Sequence, residues 1–298
     1  MPDMQEHRRK PSNGLGLALV ATCITTAVFF ALVFMPDVTG QGTSEVDRTQ
    51  GLSAGQEELE AVFDDAPTQA FIEAYSDTFP ARAADLETEI SHARTGRSHA
   101  RLGLVLLHAG AEDIRDNLDR LSRADTEHFN ALLDHVRNGL ERLSASGAPY
   151  CMGDDLLAYA SLPKQEFYEV VFEHLEHGTP LYNFAATTET LLMNAVRDAR
   201  KDPVLHSGIA APDQASLQQL GLSLMTDMRL SRLLTTEGKR RTQMDAAFSE
   251  TDFCVLGVDI ITKVDRLPDV TKGRLWATMM RLLESGAWRW YLYQLQTS

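Results

Sequence analysis

Apolar positions dominate from Gly14 to Met35, where GLGLALVATCITTAVFFALVFM holds no charge across 22 residues. A helix of that length matches a hydrocarbon core about 30 Å thick. The pattern predicts a membrane-spanning signal-anchor helix over 14–35. Arg8, Arg9 and Lys10 lie just before it, and Asp37, Glu45 and Asp47 follow before the next basic residue, Arg48. Basic residues close to a span stay in the cytoplasm. Residues 1–13 are therefore expected as a cytoplasmic tail of the inner membrane, with everything beyond the span in the periplasm. The exit Phe34-Met35-Pro36-Asp37 has no small-residue pair for cleavage, so the anchor is read as retained.

Residues 36–55 are rich in Gly, Ser, Thr, Gln and Asp and contain no aromatic. They read as a flexible tether reaching roughly 25 Å. Beyond it the pattern becomes helical. Phe129, Leu132, Leu133, Val136, Leu140 and Leu143 follow the spacing of one helix face, with Asp134, Arg137, Asn138 and Glu141 between them. Ile114, Leu118 and Leu121 mark a shorter helix. Leu217, Leu220, Leu224 and Met228 form another stripe, as do Leu275, Met279 and Leu282. Asp125 and Pro212-Asp213 supply start signals, and Ser249 or Asp252 suits the cap of a helix carrying Cys254. The β-branched run Cys254–Thr262 is the most strand-like stretch, and its helical flanks favour helix. Breaks are expected at Ser144–Pro149, Gly178-Thr179-Pro180 and Lys201–Ala215.

The fold class is therefore all-α: a single N-terminal transmembrane helix followed by a multi-helix soluble domain over 56–298. Nine to eleven helices are expected there, with a possible sub-boundary near 144–150. Tyr150-Cys151 leads to Leu162-Pro163 and a helix, and Phe253-Cys254 leads to Leu267-Pro268 and a helix. This echo matches no standard solenoid period and reads as coincidence.

Charge narrows the partners. The net charge is −14, while the first 13 residues carry +1. The exported chain is strongly acidic, which opposes binding to nucleic acid. Lys239-Arg240-Arg241 is a local basic exception, read as a solvated helix end. Of the three cysteines, Cys23 falls in the span. Cys151 and Cys254 fall in the exported part, where disulfides persist, and are expected to pair. No Asn-x-Ser/Thr acceptor occurs, which fits a bacterial periplasm.

Candidate chemistry is sparse. Glu173-His174-Leu175-Glu176-His177-Gly178 is the densest polar cluster. His174 and His177 are weak metal candidates, and the favoured reading is a helix C-terminus closed by Gly178, where cationic rings suit the negative end. Glu89-Ile90-Ser91-His92 with Asp125-Thr126-Glu127-His128 falls short of a di-iron carboxylate set. His92 and His99, beside Arg94, Arg97 and Arg101, read as a solvated basic face. No nucleophile elbow or phosphate-binding glycine pattern is present, and no cofactor is expected. Trp288, Trp290, Tyr291 and Tyr293 concentrate aromatics at the C-terminus. They suit a docked last helix or an interaction patch. With no catalytic constellation to name, the expected role is a non-catalytic scaffold or adaptor, held in the bilayer by one span and binding another envelope protein. The alternatives are a periplasmic enzyme cleaving envelope glycan with paired carboxylates and a helical ligand-binding sensor.

Overall fold

The computed structural model describes residues 63–93, 99–229, 231 and 246–286. Among these residues the fold is all-helical, without a strand. The expected span 14–35, bounded by Gly14 and Met35, lies outside the described residues together with the tail and tether. No described helix is long and apolar enough to cross a membrane.

Eleven α-helices follow in order among the described residues. They are α1 (Ala66–Thr78), α2 (Pro80–Ala93), α3 (His99–Arg115), α4 (Leu118–Leu121), α5 (Thr126–Ala145), α6 (Gly153–Ala160), α7 (Lys164–His174), α8 (Pro180–Lys201), α9 (Ala211–Met225), α10 (Phe253–Asp265) and α11 (Asp269–Glu284). A 3-10 turn, Pro149–Cys151, precedes α6.

Local chemistry explains the starts. Asp65 caps α1 by accepting from the Thr68 backbone N–H, and Pro67 occupies its first turn. Asp125 caps α5 through Glu127 N–H. Thr179 caps α8 through Tyr182 N–H, with Pro180 next. Of the two candidates for α10, Asp252 holds the cap, accepting from Val255 N–H. The strand-like run from Cys254 is helical, because its branched side chains are packed on both flanks by helices rather than by a neighbouring strand.

Helix α8 is the axis of the molecule. It packs against α1, α5, α3 and α4. Ala185, Ala186, Ala195 and Ala199 are buried along it, and such small side chains let neighbouring backbones approach closely. A second layer is formed by α10 against α5 and α9, and by α11 against α4 and α5. The Trp276 indole N–H donates to the Leu121 carbonyl and its ring lies 5.1 Å from Phe129, which ties α11 to the α4–α5 corner. One apolar cluster runs through both layers and draws on helices before and after the 144–150 segment.

Three sequence expectations need correction. Ile114 lies on α3 while Leu118 and Leu121 lie on α4, because the chain turns at Asp116–Asn117. Asn117 fixes that turn by donating to the Asp113 carbonyl and accepting from Arg200. Met228 is 71% exposed rather than part of the α9 stripe, since α9 ends at Met225. Helix α7 closes at His174, so Gly178 is not its terminus. It sits instead in the turn into α8 with φ of +85°, a conformation that favours glycine.

The α6–α7 pair and the α10–α11 pair share a junction. Each first helix ends in an αR residue, Ser161 or Arg266, followed by Leu and a Pro with nearly the same dihedrals (φ −54°, ψ 145° at Pro163; φ −56°, ψ 142° at Pro268). The two cysteines are placed differently. Cys151 precedes its helix and Cys254 lies inside its own.

Candidate functional site

The cysteines expected to pair are joined. Cys151 and Cys254 form a disulfide with Cα atoms 5.1 Å apart and a sequence separation of 103. Both are buried with Leu143 and Ala148 in a small cluster distinct from the main core. Backbone contacts brace the crosslink: Met152 and Asp252 make an antiparallel bridge, and Gly153 N–H donates to the Thr251 carbonyl at 2.9 Å. The Ser144 hydroxyl donates to Asp252 at 3.0 Å, so one carboxylate serves α5 and the cap of α10. Cys151, Asp252 and Cys254 are close enough to share a metal ion, but two sulfurs bonded to each other offer no thiolate.

The imidazoles of His174 and His177 take separate partners. The His174 ring is 3.2 Å from the Tyr159 hydroxyl and packs edge-on against Tyr150, holding α6 to α7. His177 pairs through Nε2 with Asp65 at 2.5 Å, and its ring lies between Phe63 and Tyr182. Gly103 lets this happen, since a Cβ there would meet the Tyr182 ring at 2.9 Å and His177 at 3.0 Å. Burial pulls the Asp65 carboxyl upward. The hydrogen bonds from the Thr68 backbone and hydroxyl and from His177 outweigh it, and the group is held below its usual range. The Thr68 hydroxyl also lies 3.2 Å from the Tyr182 hydroxyl, whose burial pushes its pKa strongly upward. Asp65, Thr68, His177 and Tyr182 thus latch the α7–α8 turn to the start of α1.

Three carboxyls are buried in the described core, each in its own setting. Asp113 accepts from Tyr75 and from Arg82 Nε, which joins α1, α2 and α3. Asp213 accepts from Ala210 N–H, the Thr271 hydroxyl and Arg274, which joins the start of α9 to α11. Glu189, at the middle of α8, is fully buried, and neither carboxyl oxygen has a hydrogen-bond partner among the described residues. Burial raises its pKa well above the usual value.

On the outside, α9 is apolar on two faces. Leu217, Leu220 and Leu224 face the core, while Leu222 (66% exposed) and Met225 (62%) face outward, and Met228, beyond the helix end, is exposed as well. The sequence pattern presented Leu217, Leu220, Leu224 and Met228 as one stripe and did not single out Leu222 and Met225.

The C-terminal aromatics Trp288, Trp290, Tyr291 and Tyr293 and the basic run 239–241 lie outside the described residues, and so do the side chains of His92 and His99. His128, from the loose second di-iron half, is paired with Asp198 at 3.4 Å. No protein-family model matches the chain, and no characterised protein or solved structure matches it either.

Proposed function

We propose that this chain is a single-pass inner-membrane protein whose helical body stands in the periplasm as a non-catalytic scaffold or adaptor for another envelope protein. The observation that carries the reading is the exposure of three large apolar side chains at and just beyond the end of α9, Leu222, Met225 and Met228. Leu222 and Met225 share one exposed face of α9, and apolar side chains gathered on an exposed face mark surfaces that partners cover. Methionine suits such a surface because its flexible thioether adapts to the partner. The disulfide supports the compartment, since crosslinks of this kind persist outside the cytoplasm. The uncharged 14–35 stretch supports the anchor. The occupant that fits this surface is a protein presenting an apolar helix face, which would seat against it as side chains in a groove.

The test is photocrosslinking in intact cells from a reactive residue placed at position 225 of the full-length chain. The reading predicts one discrete adduct with an envelope protein, weakened when Leu222 and Met228 are both changed to Lys. An adduct of twice the chain's own mass would replace the adaptor with a self-association surface. No adduct, alongside a control site that crosslinks normally, would contradict the reading.

A further inference from the structure

Glu189 occupies a position that helix geometry reserves for the core. Along α8 the buried residues Tyr182, Ala186, Glu189, Met193 and Val196 recur at the spacing of one helix face, and Glu189 is the only ionisable carboxyl in that series. Its carboxyl presses on α3 at Gly110. A Cβ at that position would collide with a Glu189 oxygen and would lie 2.8 Å from the Phe71 ring of α1. Absence of a side chain at Gly110 is what admits the acid between the three helices. The carboxyl therefore lies against the backbone of Gly110 with the Phe71 ring beside that glycine, its charge would be felt by the buried Tyr182, and neither of its oxygens has a hydrogen-bond partner among the described residues.

The polar groups on the surrounding elements are committed elsewhere. On α1, Tyr75 donates to Asp113. On α3, Asp113 is held by Tyr75 and Arg82, and His108 pairs with Glu112 at 3.7 Å. On α5, His135 is bonded to the Phe184 carbonyl and the Thr188 hydroxyl, and burial lowers its pKa. On α8 itself, Tyr182 is engaged with Thr68. The short helix α4 contributes the apolar Leu118 and Leu121 to the core and exposes Asp119 and Arg120. No described cation faces Glu189.

We propose that Glu189 makes the α1–α3–α8 interface a pH-responsive joint, closed while the carboxyl carries its proton and loosened when that proton leaves. The enclosed neutral acid costs the desolvation of one polar group, whereas the enclosed carboxylate costs far more. In the unfolded chain the same group ionises near pH 4.3. Above that value the folded state binds more protons than the unfolded state, so this group's effect on stability is a decline with rising pH until Glu189 itself ionises. The joint holds best under acid conditions and opens toward alkaline ones. This inference does not depend on the adaptor reading.

The experiment uses the full-length chain and the variant Glu189→Gln, with melting followed from about pH 5 to about pH 9. Glutamine has nearly the same shape and cannot ionise. The variant is expected to melt a few degrees above wild type at the alkaline end, with the gap closing toward the acid end. Amides of α8 in wild type should exchange faster with rising pH than the intrinsic base dependence, and those of the variant should not. A gap that does not change with pH, or a variant less stable than wild type at the alkaline end, would overturn the proposal. Infrared spectra of wild-type protein carrying isotope-labelled glutamate make the test independent of whether the variant folds. A protonated-carboxyl band at neutral pH is expected, and its absence there would overturn the proposal as well.

Discussion

Asp65, at the start of α1, and Glu189, at the middle of α8, have surroundings that push them in opposite directions. Asp65 accepts from three donors and is held ionised. Glu189 accepts from none among the described residues, and burial pushes its pKa well above the usual value. The pH consequences differ in sign. The folded-state pKa of Asp65 is depressed, so its contribution is present above its unfolded value of about 3.9 and is lost as pH falls through the folded value. Asp65→Asn keeps a good capping side chain but cannot change charge. Its melting temperature is expected to fall below that of wild type at neutral pH and to converge with it as the solution is acidified below about pH 4. A gap that persisted unchanged into strong acid would contradict the ionised cap. Neither role was picked out from the chain, because Asp65 sits before an unremarkable Ala-Pro-Thr and Glu189 sits in a Thr-rich run that resembles a solvated face. The cue for Glu189 was available: a lone acid at the centre of a face otherwise made of Tyr, Ala, Met and Val.

Helices were more readable than their ends. The α5 stripe survives as predicted, with Phe129, Leu132, Leu133, Val136 and Leu143 buried and Leu140 partly so, because six apolar positions at one spacing leave little freedom. Helix α9 is different. Its sequence is apolar on two faces, and only tertiary packing decides that Leu217, Leu220 and Leu224 go inward while Leu222 and Met225 stay out. The pairing of Cys151 with Cys254 followed from compartment and number, whereas the bridge between Met152 and Asp252 beside it had no sequence signal. That crosslink anchors the entry to α6 and α7, in which no residue of described burial other than Gly153 is fully buried. A closed loop of this length is worth about 4–5 kcal/mol in the chain-entropy view. Reduction, or the double change Cys151→Ala with Cys254→Ala, is therefore expected to lower the melting temperature markedly. Limited proteolysis should cut first within 153–174. Cleavage spread evenly along the chain after reduction would contradict a local brace.

At the scale of the molecule, an acidic all-helical body organised around α8 carries a covalent crosslink, and the stretch preceding that body in sequence is uncharged for 22 residues. The proposal joins these features: the stretch as an anchor, the body as an exported adaptor, and the crosslink as a product of the compartment. Fold class and the disulfide were readable because periodicity and cysteine position are encoded locally. The outward apolar side chains and the buried acid were not, because both depend on which neighbours the helices choose. The most direct measurement is to quench cells in acid, separate membrane from soluble material, and label free thiols on the full-length chain before and after reduction. The account predicts the chain in the membrane fraction, with Cys151 and Cys254 unlabelled until reductant is added. A soluble chain with both thiols labelled at once would contradict it.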